Sequence, residues 1–389
     1  MVTTREWVLR RRMATQRLTS PGLPDAVDAV RLLTCVQAQE APNALWSVGM
    51  RTRGATDDGI RAAYDAGAFL RTHILRPTWH FVAPEDLRWI LGLTSPKVLS
   101  GMRGHFAKLG LDTEVAARGA DVFRKILAGR TALTRREIAP HMRSAGLPDK
   151  GLPLGDLHLM NELMGVIVNG PMKGAQHTYL LVDEILPPEP ELERDEALGA
   201  LVHRFFAGHG PASIKDLTRW AAVTQADVRR GLDIVGDALE SVEVDGTTLW
   251  FDPSVPARTA PDAPRAHLLP TYDEATLTYP ALGFPVADGH PRGPEADPWI
   301  DPYASTVVVD GLNAGTWKRA PGRGVARIEL KLASSLTAEQ TAAVETATDR
   351  LATFLGAPRE AFDPRRVEAS GKNLGKNSGR GVDPGTRRS

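Results

Sequence analysis

Two carboxamides stand one residue apart at Gln37 and Gln39, in the stretch LLTCVQAQEAPNALW over residues 32–46. In a helix, positions i and i+2 lie about 200° apart and cannot share a target; in extended chain they point the same way. An apolar run precedes the pair and Pro42 follows as a chain break, which predicts a position near a helix end. A carboxamide cannot remove a proton at neutral pH. It can hold a water through its C=O and donate from its NH2. Such weak catalysis suffices where the leaving group is already activated. An N7-alkylated guanine is such a case: its positive charge weakens the glycosidic bond, and a positioned water can capture the sugar cation. The same two residues also read as the polar surface of a helix end, and the motif alone leaves both readings open.

Other chemistries leave little trace. The chain has no HExxH, CxxC, P-loop, GxSxG or strand-linked GxGxxG motif. Cys35 is the single cysteine, so neither an intramolecular disulfide nor a thiolate metal cluster is available. The ten histidines are scattered; His203 and His209 could share a helix end but make a poor metal site. No metal and no cofactor are expected. Asp273-Glu274 could serve as a general-base pair, but reads better as a turn or helix-start acid. Trp79 is expected in a core. Arg76 and His80, two positions either side of Thr78, are expected on one face of one strand, within reach of a phosphate or a base.

These residues need a scaffold. The 389 residues are 42% hydrophobic, enough for two or more folded units. No apolar run approaches the ~18 residues of a membrane span. The charged, amphipathic start MVTTREWVLRRRMATQ lacks a signal core, so a cytoplasmic, nucleoid-associated protein is expected. Basic and acidic residues balance at 47 each, yet residues 1–150 carry 23 basic against 14 acidic and residues 364–389 carry 7 against 2. The middle, 151–363, is therefore acidic by about 14. A basic N-terminal third and tail could bind a polyanion on one face; ordinary fluctuation with a solvated tail fits the same numbers.

Helix starts recur. Thr134 with Glu137, and Ser213 with Asp216, carry the capping spacing, and apolar residues at helical intervals follow each: Ile138 and Met142; Leu217, Trp220 and Ala221. Thr224 opens a further short helix. Each helix–turn–helix pattern is followed by a hairpin pattern, GVIVNGPMKGAQHTYLLVD and ALESVEVDGTTLWFD, the second with an Asp245-Gly246 turn. The first third reads similarly, with helices near 4–17, 24–36 and 56–66 and THILRPTWHFV as strand. The fold expected is mainly α with β wings (α+β): three tandem winged-helix units plus a C-terminal α/β segment. The boundaries expected are 1–83 for the first unit with the glutamine motif, 84–130 for a helical connector, and 131–190 and 191–256 for the second and third units. A β-hairpin and helix region over 257–363 and a disordered basic tail over 364–389 complete the chain. In the former, turns are expected at Asp310-Gly311 and Pro321-Gly322, and a helix over 337–356 with a glycine stop.

Together, VQAQ, RPTWHFVAPEDLRWI, LLPTYDEATLTYP and VVVDGLNAGTWKR resemble the AlkZ family of bacterial DNA glycosylases, over about residues 5–356. The resemblance implies three tandem winged helices and a catalytic Gln-x-Gln motif at Gln37-Ala38-Gln39. The family's middle residue is hydrophobic, and Ala38 is a small example. A sister branch carries Gln-x-Asp and acts on broader monoadducts, so Gln39 points to the crosslink branch. The implied activity is monofunctional hydrolysis of the N-glycosidic bond of N7-alkylguanine, including unhooking of interstrand crosslinks from a genotoxic natural product, as self-resistance.

The implied partner is duplex DNA carrying alkylated guanine, met by a monomer through a concave basic surface. Charge and position select the contacts: Arg10, Arg11, Arg12, Arg76, His80, Lys173, His177, Lys318 and Arg319. A bulky crosslink does not fit a tight flipped-base pocket, so an open cleft with a duplex-disturbing hairpin is expected. Two rivals remain on the sequence: a winged-helix transcription regulator without chemistry, and a domain that sequesters the genotoxin itself. Release of free 7-methylguanine from alkylated DNA separates an enzyme from a regulator.

Overall fold

Capping residues set where most helices begin. The computed structural model describes residues 4–188, 192–280, 282–289, 305–320 and 324–362, and the expected tail and the Pro321-Gly322 turn lie outside them. Thr4 caps α1 (Arg5–Thr15). After α2 (Ala26–Leu33), Thr34 takes φ 63° and ψ −51°, a γ-turn geometry rare for a β-branched residue. That reversal ends the helix short of residue 36 and sends the chain into β1 (Cys35–Gln37). Pro42 does not end a helix. It lies in the first turn of α3 (Ala41–Arg51), where the missing N–H costs no hydrogen bond. The glutamine pair therefore lies between the end of α2 and the start of α3, near a helix end as expected, and what is corrected is the reading of Pro42 as a chain break. Thr56 caps α4 (Asp57–Asp65).

The stretch read as one strand is two. β2 (Leu70–Arg76) and β3 (Thr78–Val82) run antiparallel, with Arg76 and Thr78 as cross-strand partners around Pro77. Proline fixes its own φ and favours this reversal. Arg76 and His80 thus sit on neighbouring strands rather than on one. The long α5 (Leu87–Lys108) and α6 (Thr113–Ile126) follow.

Next come β4 (Leu133–Thr134), α7 (Arg135–Ser144) and α8 (Gly151–Leu163), with a reciprocal Thr134–Glu137 capping box on α7. A hairpin of β5 (Ile167–Lys173) and β6 (Gln176–Leu181) leads into α9 (Val182–Ile185). Beyond it lie α10 (Arg194–His209), α11 (Ile214–Trp220) and α12 (Gln225–Val235), the last two opened by capping boxes at Ser213 and Thr224. The hairpin β7 (Glu240–Val244) and β8 (Thr247–Phe251) turns at Asp245-Gly246, both with positive φ. The C-terminal region contributes β9 (Ala266–Leu269), α13 (Glu274–Leu277), β10 (Ser305–Val309), β11 (Leu312–Ala320), β12 (Arg327–Leu332) and α14 (Ala338–Phe354).

The result is a mixed α+β fold with sheets that cross the expected boundaries. Strands from residues 35–82 and 133–181 join in one six-stranded sheet, ordered β1-β3-β2-β5-β6-β4, through the pairing of Arg71 with Asn169. β1 is an edge of that sheet. The C-terminal strands form a separate sheet ordered β12-β11-β10-β9, and β7-β8 stands as its own hairpin. One apolar core gathers Leu70, Phe123, Leu157, Phe205 and Trp220. A second gathers Leu33, Trp46 and Phe81 with Leu268, Val308, Trp317 and Phe354, so the C-terminal region shares a core with the first helices. The fit is close at Gly49 of α3, where a Cβ would lie 2.4 Å from the Phe354 ring. Among the described residues, no helix is long and apolar enough to cross a membrane.

The two regions are also joined by a buried ion pair. Arg51 of α3 donates to both carboxylate oxygens of Asp273 at 2.9 Å, with both side chains 0% exposed. Ser47 Oγ donates to the same carboxylate at 2.6 Å, and the carboxylate caps α13 through Ala275 N–H. Burial pushes the Asp273 carboxyl up, but Arg51, Ser47 and the capped N–H outweigh it and hold it below the ordinary value. Its contribution to stability is therefore present above the unfolded carboxylate value and lost as pH falls through the folded one. Removing one partner strands the other charge. Asp273→Ala is expected to cost about 3–5 kcal/mol, and Arg51→Met with Asp273→Leu less than Asp273→Ala alone. Urea unfolding of both variants checks the order; a double variant no more stable than the single would contradict it.

Candidate active site

The glutamine motif runs along a sheet edge. β1 pairs with β3 on its inner side, with Cys35 opposite Val82, Val36 opposite Phe81 and Gln37 opposite His80. Ala38 N–H continues the ladder by donating to Trp79 O at 2.7 Å. Gln37 is thus the last residue of an extended strand, and Gln39 stands in the bend that follows it, so neither lies in the helical geometry that would turn the two amides apart. Gln37 is buried and Gln39 exposed.

Each amide is oriented by a donor. Arg76 donates to Gln37 Oε1, and Trp79 N–H to Gln39 Oε1 at 3.4 Å. Each carbonyl keeps a second lone pair, and neither NH2 has a protein partner among the described residues. The pair can therefore still accept from and donate to a water or a lesion. On the outer side of β1, Gln37 N–H donates to Glu274 Oε1 at 2.9 Å.

The peptide between the glutamines is fixed from the other strands. Arg71 Nε donates to Ala38 O at 3.0 Å, and its Nη1 donates to Asn169 Oδ1. Asn169 Nδ2 donates to Glu162 Oε1 at 3.0 Å, which also accepts from Trp79 Nε1 at 3.3 Å. The second Glu162 oxygen meets His73 Nδ1. Arg71 lies over the Trp79 ring, 4.4 Å from its centroid. A buried carboxylate on α8 thereby holds the motif through three elements of the same sheet.

Burial presses Arg76 toward its neutral form, and Arg219 on α11 adds to this while Glu274 opposes it. His80 is fully buried and burial, with Arg76 next, pushes its imidazole well below the ordinary value. Its Nδ1–H donates to Thr78 O at 2.8 Å, and Nε2 is buried without a partner. His80 is a neutral neighbour of Gln37, not a cation for phosphate.

The other expected contacts divide. Arg10 is exposed beside an exposed Glu6 at 3.5 Å. Arg11 donates to Asp252 O at 2.9 Å and lies 4.4 Å from the Phe251 ring centroid. Arg12 is 4% exposed, donates to Pro211 O and Leu282 O and lies 3.7 Å from the Tyr279 ring centroid. Both are corrections: the basic run RRR lies on an amphipathic helix, and two of its guanidiniums turn inward. Lys173 pairs with Glu137 and stays exposed. His177 is half-buried against Tyr64, and burial pushes it down to about 4. Lys318 pairs with Glu329 at 2.9 Å, and Arg319 is exposed on β11.

Sequence reasoning missed Arg71, His73, Glu162 and Arg219, and set Glu274 aside. The signal available for Glu274 was an acid within a mostly apolar stretch, LLPTYDEATLTYP. Among the described residues, no three His, Cys, Asp or Glu side chains are grouped to hold a metal.

Comparison with known proteins bears on this geometry. A family model described as "DNA glycosylase AlkZ-like" matches residues 30–354. An interstrand DNA cross-link repair glycosylase of Streptomyces sahachiroi is 25% identical over 334 residues, covering 79% of this chain and 85% of that protein. The solved structure of Streptomyces sahachiroi DNA glycosylase AlkZ superposes with a TM-score of 0.71 at 21% identity, covering 93% of this chain and 100% of the other. At that identity the superposition speaks for the fold.

Four histidines make stability pH-dependent. Burial pushes His158 and His177 down to about 4, His267 to about 3, and His80 well below its ordinary value. The unfolded chain takes up these protons near pH 6.5 and the folded chain does not. Stability is therefore full above pH 6.5 and falls on acidification, by up to about 1.4 kcal/mol per pH unit for each histidine. Urea midpoints measured from pH 7.5 down to 5 are expected to decline, and His158→Gln to decline less steeply where it folds. A midpoint that rises on acidification would contradict the neutral assignments.

Proposed function

The chain belongs to the AlkZ-like family of DNA glycosylases, and from that premise we propose that it hydrolyses the N-glycosidic bond of N7-alkylguanine in duplex DNA and unhooks interstrand crosslinks built on such guanines. The observation that carries this reading is the pair of amides at the end of an edge strand, Gln37 as the last residue of β1 with its carbonyl held by Arg76, and Gln39 in the bend that follows, exposed to solvent. The cationic base departs with the N9–C1′ electron pair as neutral 7-alkylguanine. The sugar is left as an oxocarbenium ion, and a water held between Gln37 and Gln39 adds to C1′ and gives up its proton to solvent. The amides need not take that proton, because departure of the base precedes it; orientation and electrostatics supply the acceleration.

The crosslink substrate draws support from the named activity of the Streptomyces relative and from Gln39 standing where a Gln-x-Asp motif would have a carboxylate. A role in self-resistance to a genotoxic natural product follows from the same reading. We also read residues 1–83, 131–190 and 191–256 as three winged-helix units, the first two sharing one sheet. One chain supplies Gln37, Arg76 and Glu274, which supports action as a monomer, and the DNA substrate supports a cytoplasmic, nucleoid location. For duplex contact, Arg10, Lys173, Lys318 and Arg319 keep exposed charge, and Arg76 reaches the motif itself.

Gln37→Ala and Gln39→Ala are each expected to slow excision of 7-methylguanine by one to three orders of magnitude, about 1.4–4 kcal/mol, with unfolding midpoints near wild type. Wild-type rates in both variants would remove the catalytic reading, and no released base from the wild type would favour a regulator.

Binding should also weaken with salt. About five neutralised phosphates give a log–log slope near −5. Arg319→Glu is expected to lower that slope by about one, for damaged and undamaged duplex alike, because phosphate contacts carry no lesion information. Lys318→Glu is expected to lower it less, since Lys318 already shares its charge with Glu329. Equal slopes in wild type and Arg319→Glu would place the DNA on another face.

A further inference from the structure

We propose that Glu274 is the positioning residue of the glutamine motif, and that it must be a carboxylate because it accepts donors on both oxygens from separate parts of the fold. The inference rests on the catalytic reading of Gln37 and extends it to a residue outside the motif. Glu274 opens α13 and is 0% exposed. Its Oε1 accepts Gln37 N–H at 2.9 Å. Its Oε2 accepts from Trp220 Nε1 at 2.9 Å and Thr278 Oγ1 at 3.3 Å, and lies 3.6 Å from His209 Nε2.

The geometry of an edge strand explains the need. Successive N–H groups along a strand point to opposite sides. Ala38 N–H points to β3, so Gln37 N–H points away from the sheet. β1 is the last strand of its sheet, and among the described residues no neighbouring strand accepts that donor. A buried unpaired N–H is costly and would leave the strand free to shift. A further strand could accept it, but would extend the sheet beyond the motif. A single carboxylate closes this one donor and ends the ladder there.

Arg76 holds the Gln37 carbonyl, and the charge of Glu274 only partly counters the burial that presses Arg76 toward its neutral form. Glu274 acts on Gln37 through the main-chain N–H contact. Glutamine cannot replace it. A carboxamide has one oxygen, so its NH2 would face either Gln37 N–H or the Trp220 indole N–H, donor against donor. Aspartate falls short by one methylene. Trp220 belongs to α11, so the same carboxylate links that helix to the motif.

A double-mutant cycle tests this. Excision at saturating enzyme and affinity for damaged duplex are measured for wild type, Gln37→Ala, Glu274→Gln and the double variant. Glu274→Gln is expected to slow excision about 10–100-fold with affinity within about twofold. In the Gln37→Ala background the same change is expected to add less than about threefold, because the side chain it positions is gone. An equal fold loss in both backgrounds, or a wild-type rate in Glu274→Gln, would overturn the inference. If Gln37→Ala itself keeps the wild-type rate, it is the catalytic reading that fails. If Glu274→Gln does not fold, Trp220→Phe removes one donor to Oε2 and keeps the carboxylate. A severalfold loss that disappears in the Gln37→Ala background is then expected, and the same loss in both overturns the proposal.

Discussion

Two adjacent buried carboxylates, Asp273 and Glu274, tie three parts of the chain to one turn. Asp273 takes Arg51 of α3, and Glu274 takes the main chain of β1 and the indole of α11. Burying an ion pair gains little net stability over apolar packing, since desolvation offsets attraction. What it imposes is geometry: each oxygen has a fixed donor, and a shift of the turn strands several at once. The network extends further. Arg51 also donates to Gln16, Gln16 to Tyr279, and the Tyr279 hydroxyl to His209 O. The C-terminal region is therefore held against the first helices by polar specificity as well as by the shared apolar core around Trp46 and Phe354.

That geometry matters because an amide is a weak catalyst. On the proposed reading it gains only by being in place before the base departs, so its supports must hold it to within a fraction of an ångström. The approach to β1 is a strained turn at Thr34, whose φ of 63° costs on the order of 1–3 kcal/mol and persists because both neighbours are fixed. On one side of the motif Glu274 closes the edge donor. On the other, Glu162 acts through Asn169, Arg71 and Trp79 on the Ala38 peptide. Gln37 lies at the meeting of both supports, while among the described residues the Gln39 side chain is held by one long bond in the exposed bend.

The local part of this design was legible in the sequence. Thr134 with Glu137, Ser213 with Asp216, and the turns at Asp245-Gly246 and Asp310-Gly311 are encoded within a few residues, and the structure places them as read. β1 was not legible. Three residues are too few to show alternation, and the apolar run before them reads as helix until the reversal at Thr34. Pro42 and Pro77 were each ambiguous, since proline serves the first turn of a helix and a tight reversal as well as a break. The joining of two hairpins into one sheet rests on a single long-range pairing, Arg71 with Asn169, which no local signal carries. Glu274 was visible only as an acid among apolar neighbours, and its partners lie 54 and 237 residues away.

Charge was misleading for a related reason. The surplus of basic residues before position 150 suggested a surface for a polyanion, and the acidic middle suggested its opposite. Part of that contrast is spent inside the molecule. Arg51 meets Asp273 and Arg76 lies in the field of Glu274, both joining the basic third to the acidic remainder. Arg11 and Arg12 are consumed by carbonyls and aromatic rings. Complementary charge along the sequence is thus in part an assembly device: residues far apart in the chain are matched in the core, where unmatched ions would be costly. On the proposed reading, what remains for duplex DNA is a smaller set of exposed cations, Arg10, Lys173, Lys318 and Arg319, while Arg76 is directed at an amide. Phosphate contacts would then bring and orient the duplex, and the glutamines would act on the base that arrives.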